Sequence, residues 1–282
     1  MLLQRKGPGF EAALQFQRKK MMTHKFTTVL CAATIAFCTM ISGAQAQEQE
    51  KTPEHLRFEI LDSEGNHDAI VELFQANPNQ AIFIVDSYLE GALALHEESG
   101  ADAKDQVEAM FDQGVRASVA ADQALGTRQF SDYASSFAGW DNTQRTQFRR
   151  GQDLFVTALT ALEENRYQDA IDAATESAQN SNPLGDWWGV AGSLQIRGTA
   201  YEQLGETQRA LEANSLARLL FDNFSLTADQ LSVEVAMVRN LIMLERFSRA
   251  RATADSASAL AELLQDEEAT AEIAALRIVL EQ

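Results

Sequence analysis

The chain contains few residues that interrupt helices. Its 282 residues include only 4 Pro and 15 Gly, and both residue types are unfavourable inside a helix. Alternating runs of β-branched residues, which are typical of strands, are almost absent. With 45% hydrophobic residues, the chain has enough apolar side chains to form a sizeable core. The composition therefore predicts an all-α fold.

Cysteine is scarce as well. The chain has two, Cys31 and Cys38, and both lie in an apolar run from Phe26 to Ile41. This run follows a basic start and precedes the small-x-small ending Ala44-Gln45-Ala46, an order that is typical of a secretory signal peptide. Cleavage after Ala46 would leave a mature chain without cysteine, and so without a disulfide, a thiolate metal site or a thiol nucleophile.

Residues 21–46 are thus predicted to be a signal peptide, and the protein to be exported, either periplasmic or secreted. A membrane anchor is the alternative. However, the apolar run is shorter than the ~20 residues that span a bilayer, so no integral membrane span is expected after cleavage. Residues 1–20 are a doubtful upstream extension: either the start codon is placed too early and translation begins at Met21 or Met22, or these residues are a long n-region.

Basic residues are outnumbered by acidic ones. Removal of residues 1–46 would take away six Lys/Arg and one Glu, so that 17 basic and 40 acidic residues remain, a net charge of −23. Such a field repels nucleic acid and anionic lipid, so no nucleic-acid partner is expected. It favours cationic partners, although a solvated outer face is the more ordinary interpretation of scattered acidic residues.

A 40-residue repeat organises residues 151–264. Ala170, Ala210 and Ala250 fall in register, each just past a short turn. Each unit is predicted to be two amphipathic helices, and the small side chain lets the helices approach closely beside the turn. Because a lone hairpin cannot bury both of its apolar faces, such units come as stacked arrays. The three turns are Asn165-Arg166-Tyr167, Gly205-Glu206-Thr207 and Glu245-Arg246-Phe247.

The middle unit resembles the tetratricopeptide repeat (TPR) family in Gly198-Thr199-Ala200-Tyr201, Leu204-Gly205 and Ala210-Leu211. The resemblance implies a right-handed α-solenoid of antiparallel helix pairs. Two features depart from the family. Arg197 and Thr157 occupy positions that are usually aliphatic, and the period of 40 exceeds the ~34 of the family. A HEAT-like array, with a period of about 40–47, is the alternative.

The sequence also predicts an order of segments. On two of the predicted helices, the side expected to pack against the core includes Val115, Val119, Leu216 and Leu219. After the signal peptide come a flexible leader at 47–56, an N-terminal helical cap or degenerate repeat at 57–140, TPR-like repeats at 141–265 and a C-terminal capping helix at 266–282.

Motifs for chemistry are missing. His55, His67 and His96 show no metal-ligand spacing such as H-x-x-x-H. The sequence contains no G-x-S-x-G motif, P-loop or EF-hand loop. No catalytic, cofactor-binding or metal-ligating residue is therefore predicted, and no cofactor.

The TPR resemblance implies that the first helices of the units bind a partner on the concave side. The residues predicted to line this side lack the clustered Lys and Arg that would bind a peptide's terminal carboxylate. An extended or helical segment of another protein is therefore the expected partner. Alternatively, the N-terminal helices cover these positions and leave no groove. The candidate residues are Phe155, Gln195, Thr199, Glu202, Gln203 and Arg239, together with Trp187 and Trp188, whose residue type is favoured at binding hot spots but for which core packing is the alternative.

The leading functional hypothesis is a non-catalytic exported scaffold that mediates protein–protein interaction. An accessory or regulatory subunit of an enzyme system is the second hypothesis. A small-molecule-binding helical protein, with a pocket between the N-terminal helices and the array, is the third.

Overall fold

The computed structural model describes residues 51–281. The predicted extension, the signal peptide and residues 47–50 of the leader lie outside the described residues. Residues 53–56, which were also assigned to the leader, form the first turn of a helix instead. The reason is local: the hydroxyl of Thr52 accepts a hydrogen bond from the backbone N–H of His55, and Pro53 occupies the first helical position, where proline is favoured.

The described residues form twelve α-helices and no β-strand, which confirms the prediction of an all-α fold. Three short 3₁₀ segments, at residues 78–80, 100–103 and 182–184, join some of them. The helices are α1 Pro53–Ser63, α2 His67–Ala76, α3 Ala81–Ser99, α4 Lys104–Leu125, α5 Gln129–Gly139, α6 Asn142–Glu163, α7 Tyr167–Ser181, α8 Trp187–Gln203, α9 Thr207–Asn223, α10 Thr227–Met243, α11 Phe247–Leu264 and α12 Glu267–Leu280.

From α6 onward, each helix packs against the next one in the chain. The first helices of successive units also contact one another, α6 with α8, α8 with α10, and α10 with α12. These four helices therefore form one layer, which we call the inner layer, and α7, α9 and α11 lie outside it. This is the arrangement of an all-α solenoid, as the repeat predicted.

The turns inside the three hairpins have one geometry. In each, a residue in the left-handed conformation ends the first helix, and the next backbone N–H donates to the carbonyl five residues earlier at 2.8 Å, as in a Schellman motif. The alanines four residues further on are completely buried. The left-handed residues are Asn165, Gly205 and Glu245, and the alanines are Ala170, Ala210 and Ala250.

Replacing Ala250 with leucine is expected to lower the free energy of unfolding by about 1–3 kcal/mol. The added atoms have no space between α10 and α11, which pack together at this point. Ala252→Leu is the matched control, because Ala252 is exposed on the same helix, and it should change stability much less. Urea unfolding of both variants measures the difference, and equal effects would contradict close packing at this alanine.

The N-terminal helices dock on the loops that join the units. The indole N–H of Trp140 donates to the carbonyl of Leu184 at 3.3 Å. The rings of Phe130 and Phe224 meet edge to face, with centroids 5.7 Å apart. These loops hold the residues that lengthen the period to 40, and they therefore serve as a platform for α1–α5. One hydrogen bond also reaches the third unit, from the N–H of Thr227 to the side chain of Asn79 at 2.9 Å.

Four residues predicted to face inward do not. Val115, Val119, Leu216 and Leu219 are 39%, 47%, 54% and 53% exposed. Small residues take most of the buried positions near these four, such as Ala117 and Ala120 on α4 and Ala213 and Ala217 on α9. On α4, a Cβ added at Gly114 would lie 2.9 Å from Cδ2 of Leu89.

Candidate functional site

A groove opens on the inner layer between the second and third units and the last helix. It has a volume of about 180 Å³. Three consecutive inner helices supply its walls, so the stacking of the units creates it. The side chains that line it include Gln195, Thr199, Glu202 and Gln203 from α8, Leu231, Ser232, Val235 and Arg239 from α10, and Asp266, Glu268, Ala269 and Glu272 from α12.

Five of the eight residues singled out from the sequence meet in this groove: Gln195, Thr199, Glu202, Gln203 and Arg239. They come from two helices that are far apart in sequence. The register of the repeat brings them to one groove.

The other three candidates do not reach the groove. Phe155 is 2% exposed, and its ring lies against the backbone of α8, where a Cβ added at Gly192 would be 2.7 Å from Cε2 of Phe155. Trp188 is buried and meets the ring of Phe83 edge to face, with centroids 5.5 Å apart. Trp187 is 39% exposed at the start of α8. The core alternative is therefore correct for Trp188, and the two Trp side chains do not form a joint anchor.

Arg239 ties the three walls of the groove together. Its Nε donates to Oε1 of Glu202 on α8 at 2.7 Å, and its Nη1 donates to Oε1 of Glu272 on α12 at 2.5 Å. The Arg239 side chain is 15% exposed. Burial acts to lower the pKa of Arg239, but the charges and hydrogen bonds of Glu202 and Glu272 outweigh it and raise this pKa above its usual value. The guanidinium is thus a permanent cation that fixes the spacing of α8, α10 and α12.

Sequence reasoning missed several polar residues of the groove, namely Asn214, Ser232, Asp266, Glu268 and Glu272. Asn214 comes from the outer helix α9 and is 2% exposed, yet it lines the groove. Its carboxamide lies against the backbone of α8, and a Cβ added at Gly198 would be 2.0 Å from its Oδ1. Its Nδ2 has no hydrogen-bond partner. Gly198 is the signal that could have indicated this approach, because glycine inside a helix is costly unless something packs closely against it.

The N-terminal helices close the inner layer at the first unit. Gln152 of α6 donates to Glu90 of α3, and Arg149 donates to Glu90 at 2.6 Å and to Glu97 at 2.9 Å. The prediction that these helices cover the concave positions is correct for the first unit only. The groove remains open from α8 to α12.

A cluster of acidic side chains is buried under this cover. Asp86 is 3% exposed and accepts a hydrogen bond from the hydroxyl of Tyr133 at 2.5 Å. Burial, together with the charge of Glu90, raises the pKa of Asp86 well above its usual value. Burial also raises the pKa of Glu90 and of Asp186, the residue that caps α8. This part of the interface is therefore polar and internally hydrogen-bonded.

A scan against protein-family models finds no match for this chain, and a search of curated proteins finds no similar sequence. No helix within residues 51–281 is long and apolar enough to cross a membrane. The same residues hold no group of three or more His, Cys, Asp or Glu side chains placed to bind a metal ion.

Proposed function

We propose that this protein is an exported, non-catalytic scaffold that holds a segment of another protein in the groove between α8, α10 and α12. The observation that carries the proposal is the convergence of Gln195, Thr199, Glu202, Gln203 and Arg239 on one open groove of the inner layer. Export is part of the proposal and depends on the predicted signal peptide at 21–46.

The size of the groove supports a protein partner over a small molecule. Sites that hold a whole drug-sized molecule have volumes of about 300–1,000 Å³. A groove of about 180 Å³ is smaller, and it suits side chains of a longer segment that extends beyond it. Protein segments bind in this way when a few side chains enter a groove while the rest of the segment stays outside.

The rigidity of the groove supports binding as well. Arg239 holds both neighbouring inner helices through charge-assisted hydrogen bonds, which are stronger than neutral ones. A surface that is ordered before binding loses less conformational entropy when the partner arrives. The ion network therefore favours a fixed binding surface.

We further propose that the units are divergent TPR-type repeats. In support, the completely buried Ala210 and Ala200, the turn glycine Gly205 and the aromatic Tyr201 occupy the positions that the family pattern assigns to such residues. The longer period is accounted for by the loops between units, which receive the N-terminal helices. This use of the extra residues favours a modified TPR array over a HEAT-like one.

Filling the groove tests the proposed function. Thr199→Trp would place an indole among the lining side chains and is expected to reduce capture of the partner from the native host by at least roughly tenfold, the effect of about 1.4 kcal/mol. Leu216→Trp, on the exposed outer face of α9, is the matched control and should bind normally. Circular dichroism establishes that both variants are folded. Normal capture by folded Thr199→Trp would remove the groove from consideration.

A further inference from the structure

The inner groove is acidic. Four carboxylates, those of Glu202, Asp266, Glu268 and Glu272, line it together with the guanidinium of Arg239, a net charge of −3. Arg239 satisfies Glu202 and Glu272 in part, whereas Glu268 is exposed at the mouth. A cationic group that enters this groove meets a complementary field, and an anionic one is repelled.

The floor of the groove offers a second and independent feature. The Nδ2 of the buried Asn214 has no hydrogen-bond partner, and such a group is unfavourable in a protein interior. The side chain lines the groove but its Nδ2 is itself covered, so an acceptor from a bound molecule would meet this donor after the carboxamide rotates toward the groove. A backbone carbonyl of a peptide supplies one, while a simple inorganic cation or a polyamine does not.

The walls also suit a long aliphatic stem. Leu231, Val235 and Ala269 line the groove, and Leu231 and Val235, at 3% and 5% exposed, contribute a narrow apolar strip. Lysine and arginine place their methylene groups along such apolar surface while the charged end remains in a polar environment. Apolar walls with carboxylates near the mouth match that distribution.

We infer that the segment bound in this groove is basic. A lysine or arginine side chain lies along Leu231 and Val235 with its charge facing Glu268 and Glu272, and a carbonyl of the same segment accepts from Asn214. This inference rests on the proposed function and adds the chemical class of the partner.

Three short labelled peptides test it, one alternating alanine with lysine, one with glutamine in place of lysine and one with glutamate. Fluorescence anisotropy at low ionic strength is expected to show that the lysine peptide binds at least roughly tenfold more tightly than the glutamine peptide. The affinity for the lysine peptide should fall as the salt concentration is raised from about 0.1 M to about 1 M. The glutamate peptide should not bind. The combined variant Glu268→Gln, Glu272→Gln should lower the affinity for the lysine peptide by at least roughly tenfold. Asn214→Ala should also lower this affinity.

The matched control is Glu267→Gln with Glu281→Gln, at the two ends of α12, which changes the net charge equally outside the groove and should bind normally. The inference is overturned if the lysine peptide does not bind, if the glutamine or glutamate peptide binds equally well, or if both pairs of substitutions have the same effect. The Thr199→Trp variant distinguishes a failure of the basic specificity from a failure of the proposed function. If it abolishes partner capture while the lysine peptide shows no preference, the groove remains the binding site and only its basic specificity is wrong. Capture that persists in Thr199→Trp would instead overturn the proposed function itself.

Discussion

Replacing Arg239 with alanine is expected to lower the free energy of unfolding by about 1.5–3 kcal/mol and to abolish partner capture. The guanidinium is nearly buried between Glu202 and Glu272, and its removal leaves two carboxylates close together without a counter-charge. The cost arises mainly at Glu202, whose side chain is 18% exposed and stays largely desolvated without its partner, whereas Glu272, at 40% exposed, is partly hydrated already. Equilibrium unfolding in urea measures the first effect and pull-down the second.

Two further variants separate the loss of charge balance from the loss of contacts. Arg239→Met combined with Glu202→Gln and Glu272→Gln removes the whole network, and should recover most of the stability without recovering binding. Arg209→Ala removes an exposed arginine that pairs with Glu206 within one turn, and should change neither property. An Arg239→Ala protein as stable as the wild type would show that this network does not hold the inner helices together.

Much of this fold follows from local rules that act on single residues. A small residue is needed where two helices meet beside a tight turn, so Ala170, Ala210 and Ala250 indicated the hairpins before any contact was known. The period of 40 then placed Thr199 and Arg239 on the same side of the array, because residues at equal positions in stacked units face the same way.

Other features depend on distances between elements and could not be predicted in this way. Leu216 and Leu219 have the residue type of a core, but α9 buries Asn214 and Ala217 instead, since α8 approaches at Gly198 and leaves space only for that arrangement. Hydrophobic residue type favours burial without requiring it, because much of any protein surface is apolar. The ion pair between Glu272 and Arg239 could not be predicted either, because it forms only when the last helix packs in the inner layer.

Raising the pH from 5 to 8 is expected to lower the free energy of unfolding by about 3 kcal/mol through Asp229 alone. Asp229 is 3% exposed in the first turn of α10, and burial raises its pKa to about 7, whereas an aspartate in an unfolded chain has a pKa of about 3.9. Between these two values the folded protein binds a proton that the unfolded chain has released. Stability is therefore highest at the acidic end of this range and falls as the pH rises toward 7. The raised pKa values of Asp86, Glu90 and Asp186 act in the same direction.

Asp229→Asn isolates this contribution, because asparagine has nearly the same shape and no charge to bury. The variant should be more stable than the wild type at pH 8 and should approach it at pH 5, so that the difference between their urea midpoints grows with pH. Asp153→Asn, on an exposed face of α6, is the control and is expected to keep the wild-type pH dependence. If Asp229→Asn were destabilised equally at both pH values, the carboxylate of Asp229 would have to be satisfied in its charged form, and the stability of α10 could not depend on its protonation.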